Sequence, residues 1–498
     1  MSGTTTSRGG RRAVRLLAVA AAVLLAGCAG GPPHEPDPLV ELPSVRLLVK
    51  AGGDPLPVVA ARVEAVAHGL DARTTLDHSG PRPSALVPSS ELAKIGWLVV
   101  DAGGIPPDML AVSLSAQAGV VAVEVDARVR LIDPVAGEEA GPRVVLDPMV
   151  GAQWVHAKVG SPAAWDAGLD GRGVTIAVLD TGVDCSHPDL RCRNGGRDFT
   201  GGGSTADVVG HGTHVAGTAA AIGSNGRGGS GMAPRADVLP VKVLDDSGSG
   251  DYSWVAAGIV WAADQGARVL NLSLGGPVPS AALRDALAYA TARGALVACA
   301  AGNDGTDRAS YPNTYPGCIG VAATRKDGEV GTTWTNWGVN ADIGIGGESI
   351  MSTCTQGRYC QMSGTSMASP ALAGVLALAL QGGIAPSAAV ELINRTGVPL
   401  TGRLAGLSRP DVAALAAAIR AAPSATPLPS ATLTRVPPTA TRRAATSTPT
   451  AGGPPAPTVF PGATHLPPSA LPWPCAVVGV EAGAVTIRCP YKAPSATP

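Results

Sequence analysis

The chain has 498 residues, of which 45% are hydrophobic, only 15% charged and 3% aromatic, and its formal net charge is -1. That length exceeds one ordinary domain and allows a large core, which must be built from Ala, Val, Leu and Ile with close glycine contacts. Without a basic surplus, or a Lys/Arg patch beside aromatics, nucleic acid is excluded as a partner.

The first residues carry Arg8, Arg11, Arg12 and Arg15 ahead of an uncharged Ala/Leu/Val run from Leu16 to Gly27. The run is short for a membrane span and reads as a secretory signal over 1–27. It ends in Leu25-Ala26-Gly27-Cys28, which resembles a bacterial lipobox and implies lipidation of Cys28. An ordinary cleaved signal with an incidental cysteine is the alternative, and Arg11-Arg12 also fits twin-arginine export. Each reading predicts an extracellular or cell-surface protein, and the lipobox reading adds the lipid at Cys28 as its membrane contact. Residues 28–43, containing GGPPHEPDP, read as a Pro-rich spacer.

From Ser44 to Asp133, runs such as VRLLVK, VVAARVEAVAHGL and VVAVEVDARVRLI mix strand-like and helix-like periodicity, predicting a small α/β unit. An exposed Pro/Gly and acidic linker is expected between about Ile132 and Val150. From Val174 onward strand and helix signals alternate: VTIAVLD, HGTHVAGTAAA, ADVLPVKVL, SWVAAGIVWAADQG, RVLNLSLGG, SAALRDALAYATARG, LVACAAGN. Alternation predicts an α/β fold, a parallel sheet with helices on both faces, over 145–421. Asp180 closes the first of these strands and Asn303 a later one, where open parallel sheets bind ligands. Ser366 precedes the apolar run MASPALAGVLALAL and so is placed at a helix N-terminus. Residues 422–474 are dense in Pro, Thr, Ser and Ala and cannot form a packed core; an extended stalk and a passive disordered tail fit this composition equally. The segment 475–489, CAVVGVEAGAVTIRC, reads as a disulfide-closed hairpin.

Nine cysteines less Cys28 leave eight, an even number suited to disulfides in an oxidising compartment. Cys185 and Cys192, Cys354 and Cys360, and Cys475 and Cys489 each bracket a short loop that favours local pairing. Cys299 and Cys318 begin two apolar runs that are compatible with neighbouring strands. Buried free cysteines and a zinc site are the alternatives, although no CxxC pair is present.

Three motifs carry chemistry, in the order VLDTGVD around Asp180, HGTHVAGT from His211, and SGTSMASP around Ser366. A serine hydroxyl is a weak nucleophile until an imidazole takes its proton, and the imidazole needs a carboxylate to fix its tautomer. The motifs and their order make residues 145 to 420 resemble the subtilisin-like serine proteases. The resemblance implies Ser366 as nucleophile, His211 as base and then acid, Asp180 as orienting carboxylate, and a structural His214. It further implies Asn303 and the Ser366 backbone N–H as donors to an oxyanion. Protein or peptide substrates would pair as an added strand with Gly248-Ser249-Gly250 and Ser273-Leu274-Gly275-Gly276. The stretch Gly119–Val129 resembles the end of the family's pro-segment, making 44–133 an inhibitor and chaperone cut away by the enzyme itself; a retained N-terminal domain is the other reading. Asp189, Asn225 and Asp147 resemble ligands of a structural calcium, and none is needed for the chemistry. Where the family usually has an Ala-Pro-Gly loop, this chain has Asp342-Ile343-Gly344-Ile345-Gly346-Gly347, so local geometry there is expected to differ. A surface binding protein that keeps the fold without activity is the competing class. Within enzymes, a narrow processing peptidase and a broad degrader share these motifs.

Overall fold

A computed structural model describes residues 45–71, 84–86, 90–102, 105–134, 147–327, 329–421, 476–481 and 484–488. The signal, Cys28, the Pro-rich spacer, most of the expected linker, residues 422–474, and Cys475 and Cys489 lie outside the described residues.

Seven parallel strands form the central sheet, in the spatial order Ile343–Gly346, Cys318–Thr324, Leu296–Ala300, Val269–Leu272, Thr175–Asp180, Asp237–Lys242, Arg197–Asp198. Their runs are apolar at consecutive positions because both faces are covered, as in TIAVLD and LVACA. One face packs on the helices His211–Ala220 and Thr365–Gln381, the other on Tyr252–Asp264 and Ala281–Ala292. Each Val or Leu fully buried there contributes roughly 1.5–3 kcal/mol of transfer free energy. The expected α/β architecture is therefore present. The chain runs from the Asp180 strand to one neighbour and later returns to the other, so the crevice at the carboxyl end of that strand is a topological switch point.

Residues 46–125 form a separate antiparallel sheet, ordered Ser84–Leu86, Trp97–Asp101, Arg46–Ala51, Val120–Val125. The two-residue strand period divides its side chains. Leu47, Val49, Leu98 and Val100 pack with the helices Leu56–Asp71 and Pro107–Ser115, whereas Leu48, Trp97 and Val99 join the core against the Tyr252–Asp264 and Ala281–Ala292 helices. Polar contacts flank this second face: Trp97 Nε1 and Lys50 Nζ each reach Asp285 at 2.9 Å, and Arg197 pairs with the buried Glu91 at 2.8 Å. Glu124 closes the contact by accepting from Ser280 Oγ at 2.8 Å and from the first helical N–H groups, Ala281 at 2.9 Å and Ala282 at 3.2 Å. These donors have no partner within their own helix, and a carboxylate there also meets the positive end of its dipole.

Disulfides join Cys185 to Cys192, Cys299 to Cys318 and Cys354 to Cys360. The segment Ile343–Gly346 is an edge strand of the main sheet. Near the C-terminus, Ala476–Glu481 and Ala484–Arg488 pair as an antiparallel hairpin. Among the described residues no single helix is long and apolar enough to cross a membrane.

Candidate active site

Asp180 ends the central strand fully buried, and its Oδ1 accepts from His211 Nδ1 at 2.7 Å and from Thr181 N at 2.7 Å. His211 opens its helix beside this strand. The close approach requires glycine at 212, since a Cβ there would lie 2.1 Å from the Gly182 carbonyl oxygen. His211 Nε2 is buried with no hydrogen-bond partner, free to take a proton from a nucleophile. Burial alone would lower the imidazole pKa, but the charge and bond of Asp180 outweigh it and hold the pKa above the ordinary value. His214, one turn along, is fully buried with Nε2 on the Ile350 carbonyl at 3.0 Å; burial pushes its pKa down to about 3, so it stays neutral and structural.

Ser366 lies in the first turn of the Thr365–Gln381 helix, and its Oγ donates to the Ile132 carbonyl at 2.9 Å. Asn303 stands across from it, three residues past the Leu296–Ala300 strand. Its Oδ1 accepts from both Thr365 N and Thr365 Oγ1 at 2.9 Å, which forces Nδ2 toward the cleft, where it donates to the Asp133 carbonyl at 2.8 Å. Two successive carbonyls of the N-terminal segment thus meet the hydroxyl and the amide donor.

The same segment occupies the cleft as a strand. Arg128–Leu131 lies antiparallel between Ser249–Asp251, with Val129 opposite Gly250, and Leu274–Gly275, with Leu131 opposite Leu274. Leu131 N donates to the Gly248 carbonyl at 3.0 Å and Ile132 N to that of Ser273 at 3.3 Å. Val129 is 1% exposed; a Cβ at Gly250 would stand 3.3 Å from its Cγ1 and 2.3 Å from the Val243 carbonyl, so the strand approaches only a glycine. The expected edges 248–250 and 273–275 are those that pair, while Gly276 instead bridges Tyr311.

Asp180 and His211 are bonded to each other, Ser366 and Asn303 meet successive carbonyls of one strand, and among the described residues no hydrogen bond joins Ser366 Oγ to His211 Nε2; the residue types are those of a serine acyl-transfer site. The sequence profile of the Subtilase family matches residues 171–398. Subtilisin Savinase of Lederbergia lenta is 46% identical over 228 residues, covering 46% of this chain and 84% of that protein. Thermitase of Thermoactinomyces vulgaris is 42% identical over 252 residues, covering 50% of this chain and 90% of that one. The chain belongs to the subtilase family. M-protease of Shouchella clausii is likewise 46% identical over 228 residues, and there the chain spans only 59% of the relative's length. In fold, the chain is similar to fervidolysin of Fervidobacterium pennivorans, a keratinolytic enzyme related to subtilisin, with a TM-score of 0.64 and 24% identity, over 75% of this chain and 61% of that one.

Subtilase motifs did not point to two polar clusters that brace the site. Asp207 accepts from Thr181 Oγ1 and Gly210 N at 2.8 Å and from Thr213 N and Oγ1 at 2.8 and 2.6 Å, tying the Asp180 strand to the start of the His211 helix. Asp207 lies three residues before the N-cap position Gly210, so no local capping pattern marks it in the sequence. Ser369 Oγ bonds to Asn271 Oδ1 at 2.7 Å, Asn271 Nδ2 to Ser273 Oγ at 2.9 Å, and Ser273 Oγ to the Ser366 carbonyl at 3.0 Å. No local pattern announces that chain of contacts, because its members come from distant segments.

The three suggested calcium residues converge. Asn225 Nδ2 donates to Asp189 Oδ1 at 2.6 Å, and Asp147 accepts from the N–H groups of Asn225 at 3.1 Å and Gly226 at 3.0 Å. Tyr359, inside the Cys354–Cys360 loop, donates to Asp189 Oδ2 at 3.2 Å. Burial, with the Asp147 charge adding to it, raises the Asp189 pKa to about 6. Two carboxylates and an amide carry the hard oxygens that calcium takes, although here the amide turns its Nδ2 to Asp189 and Asp147 faces backbone N–H groups. Among the described residues no cluster of three or more His, Cys, Asp or Glu side chains stands ready for a metal, so backbone and amide oxygens would have to complete this set.

Proposed function

We propose that this subtilase is a serine endopeptidase, made as a precursor that cuts itself and works outside the cytoplasm. The observation that carries the reading is the seating of Ile132 and Asp133 at Ser366 Oγ and Asn303 Nδ2 by a strand that pairs with both cleft edges. Ser366 Oγ attacks a substrate carbonyl carbon while His211 Nε2 takes its proton; the oxyanion forms against Asn303 Nδ2; His211 then protonates the leaving amine, and water releases the acyl group by the same steps in reverse.

In this account residues 44–133 are the pro-segment and the first substrate, and the cut falls at the peptide bond after Ile132 or after Asp133. The capping of the Ala281–Ala292 helix by Glu124 keeps the cut segment docked as an inhibitor. Calcium at Asp147, Asp189 and Asn225 is structural. Cys28 carries a lipid, so that cutting at Ile132–Asp133 would separate the anchor from the catalytic body and leave only non-covalent contact to hold the enzyme at the membrane. A fluorophosphonate probe tests the chemistry: wild type is expected to be labelled and to hydrolyse denatured protein, and Ser366→Ala to do neither. A folded wild type that takes no label would favour a binding protein on the same scaffold.

A further inference from the structure

We propose that Asp251 and Asp245 form a subsite that selects a cationic side chain in protein substrates, at the position Arg128 occupies. The inference rests on the reading of this cleft as the substrate cleft. The strand register places Arg128 directly opposite Asp251, and its guanidinium reaches Asp251 Oδ1 at 3.0 Å and Asp245 Oδ2 at 3.8 Å.

Both acids belong to the catalytic body, and Asp245 is set in place by it. Asp245 Oδ1 accepts from Ser247 N at 2.9 Å, Ser247 Oγ at 2.6 Å and Ser249 N at 3.0 Å, which leaves Oδ2 turned to the guanidinium. Burial opposes ionisation of Asp245, but these bonds and Arg128 outweigh it and lower its pKa, so the carboxylate is charged through the neutral range. Asp251 ends the edge strand with its side chain 7% exposed, and its Oδ2 is held by Arg46 of the N-terminal unit. Among the described residues every cation paired with Asp245 or Asp251 comes from residues 46–128. Departure of that unit therefore leaves two carboxylates on the cleft edge without a counter-charge, Asp245 fixed by its loop and Asp251 by its place at the end of the edge strand. An incoming strand that pairs with Ser249–Asp251 places one of its side chains there. Lys or Arg is attracted and Glu or Asp repelled. Among the described residues Arg130, two residues on and exposed, is paired with no carboxylate, so the selection proposed falls at the Arg128 position.

The test compares internally quenched peptides copying Ala127 to Val135, with Arg128 kept or replaced as Arg128→Gln and Arg128→Glu, on the matured wild-type enzyme. At low salt kcat/KM is expected to be about twofold to fivefold higher for the Arg peptide than for the Glu peptide, the scale of a partly exposed ion pair. The ratio should shrink in roughly 0.5 M salt, and fall to about one in an Asp245→Asn, Asp251→Asn double variant. Equal cleavage of the Arg and Glu peptides by a wild type that labels with fluorophosphonate would overturn the subsite alone. A persisting preference in the double variant would do the same. A wild type that neither labels nor cleaves any peptide would overturn the proteolytic reading and the subsite with it. The wild-type comparison decides the matter even where the double variant does not mature, since Asp251 also binds the N-terminal unit.

Discussion

The orientation of Asn303 gives the site its clearest quantitative test. Thr365 supplies two bonds to Asn303 Oδ1, and its Oγ1 also accepts from Gly302 N at 3.1 Å, so one hydroxyl supports both the amide and the backbone beside it. Asn303→Leu removes the cleft-facing amide donor that the proposed mechanism sets against the developing oxyanion. In subtilisin, a member of this family, loss of one such donor is known to cost about 2.7–4 kcal/mol, a kcat decrease on the order of 100- to 1,000-fold. Thr365→Val keeps the side-chain shape and the backbone bond to Asn303. It deletes one buried hydrogen bond, worth about 0.5–1.5 kcal/mol, and orphans the Gly302 N–H at a further cost of about 1–3 kcal/mol. The first variant should therefore lose kcat with its melting temperature preserved. The second should lose stability by several degrees and kcat by about tenfold or less. Steady-state kinetics on one peptide, with calorimetry on the same samples, separate the two. A Thr365→Val enzyme as slow as Asn303→Leu, or an Asn303→Leu enzyme within a few-fold of wild type, would refute the assignment of the amide to the oxyanion.

Three other outcomes follow from the same contacts. With His211 as the proposed base and Asp180 holding its pKa above the ordinary value, kcat/KM should climb with pH along a limb whose midpoint lies above that of free imidazole; a limb below it would contradict the pairing. The sign for stability is opposite: the raised pKa contributes stability in full below the unfolded value near 6.5, and that stability is lost as pH rises through the folded value. Asp189, raised to about 6 by burial, likewise favours the folded state while protonated and loses that contribution as pH rises through 6. Calcium bound at the ionised site should therefore raise the melting temperature more at pH 8 than at pH 5, and a chelator that leaves the pH 8 melting curve unmoved would reject the site. Glu124→Ala in a Ser366→Ala background leaves Ser280 Oγ and the N–H groups of Ala281 and Ala282 without their acceptor. Loss of these charge-assisted bonds should cost about 2–3 kcal/mol of docking, read as protease nicking of the N-terminal unit in a precursor that otherwise resists it.

Much of the site was legible because subtilase chemistry is written in short contiguous motifs. Asp180, His211 and Ser366 sit at strand and helix ends whose apolar runs announce themselves. The β-α alternation from Val174 gave the parallel sheet, although strand order came only with the contacts. Pairing of Cys299 with Cys318 was readable only as adjacency, since it depends on two parallel strands lying side by side. The Asn271, Ser273 and Ser369 network and the role of Asp251 were not legible. Each is a contact between segments far apart in the chain, and an Asp before Tyr252 reads locally as a helix cap, a bond it does not make.

The most direct measurement is the intact mass and N-terminal sequence of the full-length wild type beside Ser366→Ala, produced and exported in the same way. The wild type is expected to yield a catalytic chain beginning at Asp133 or Pro134, and the variant a single chain still joined across Ile132–Asp133–Pro134. A variant cut at the same place as the wild type, or a wild type left uncut with its fold intact, would contradict self-cleavage by Ser366.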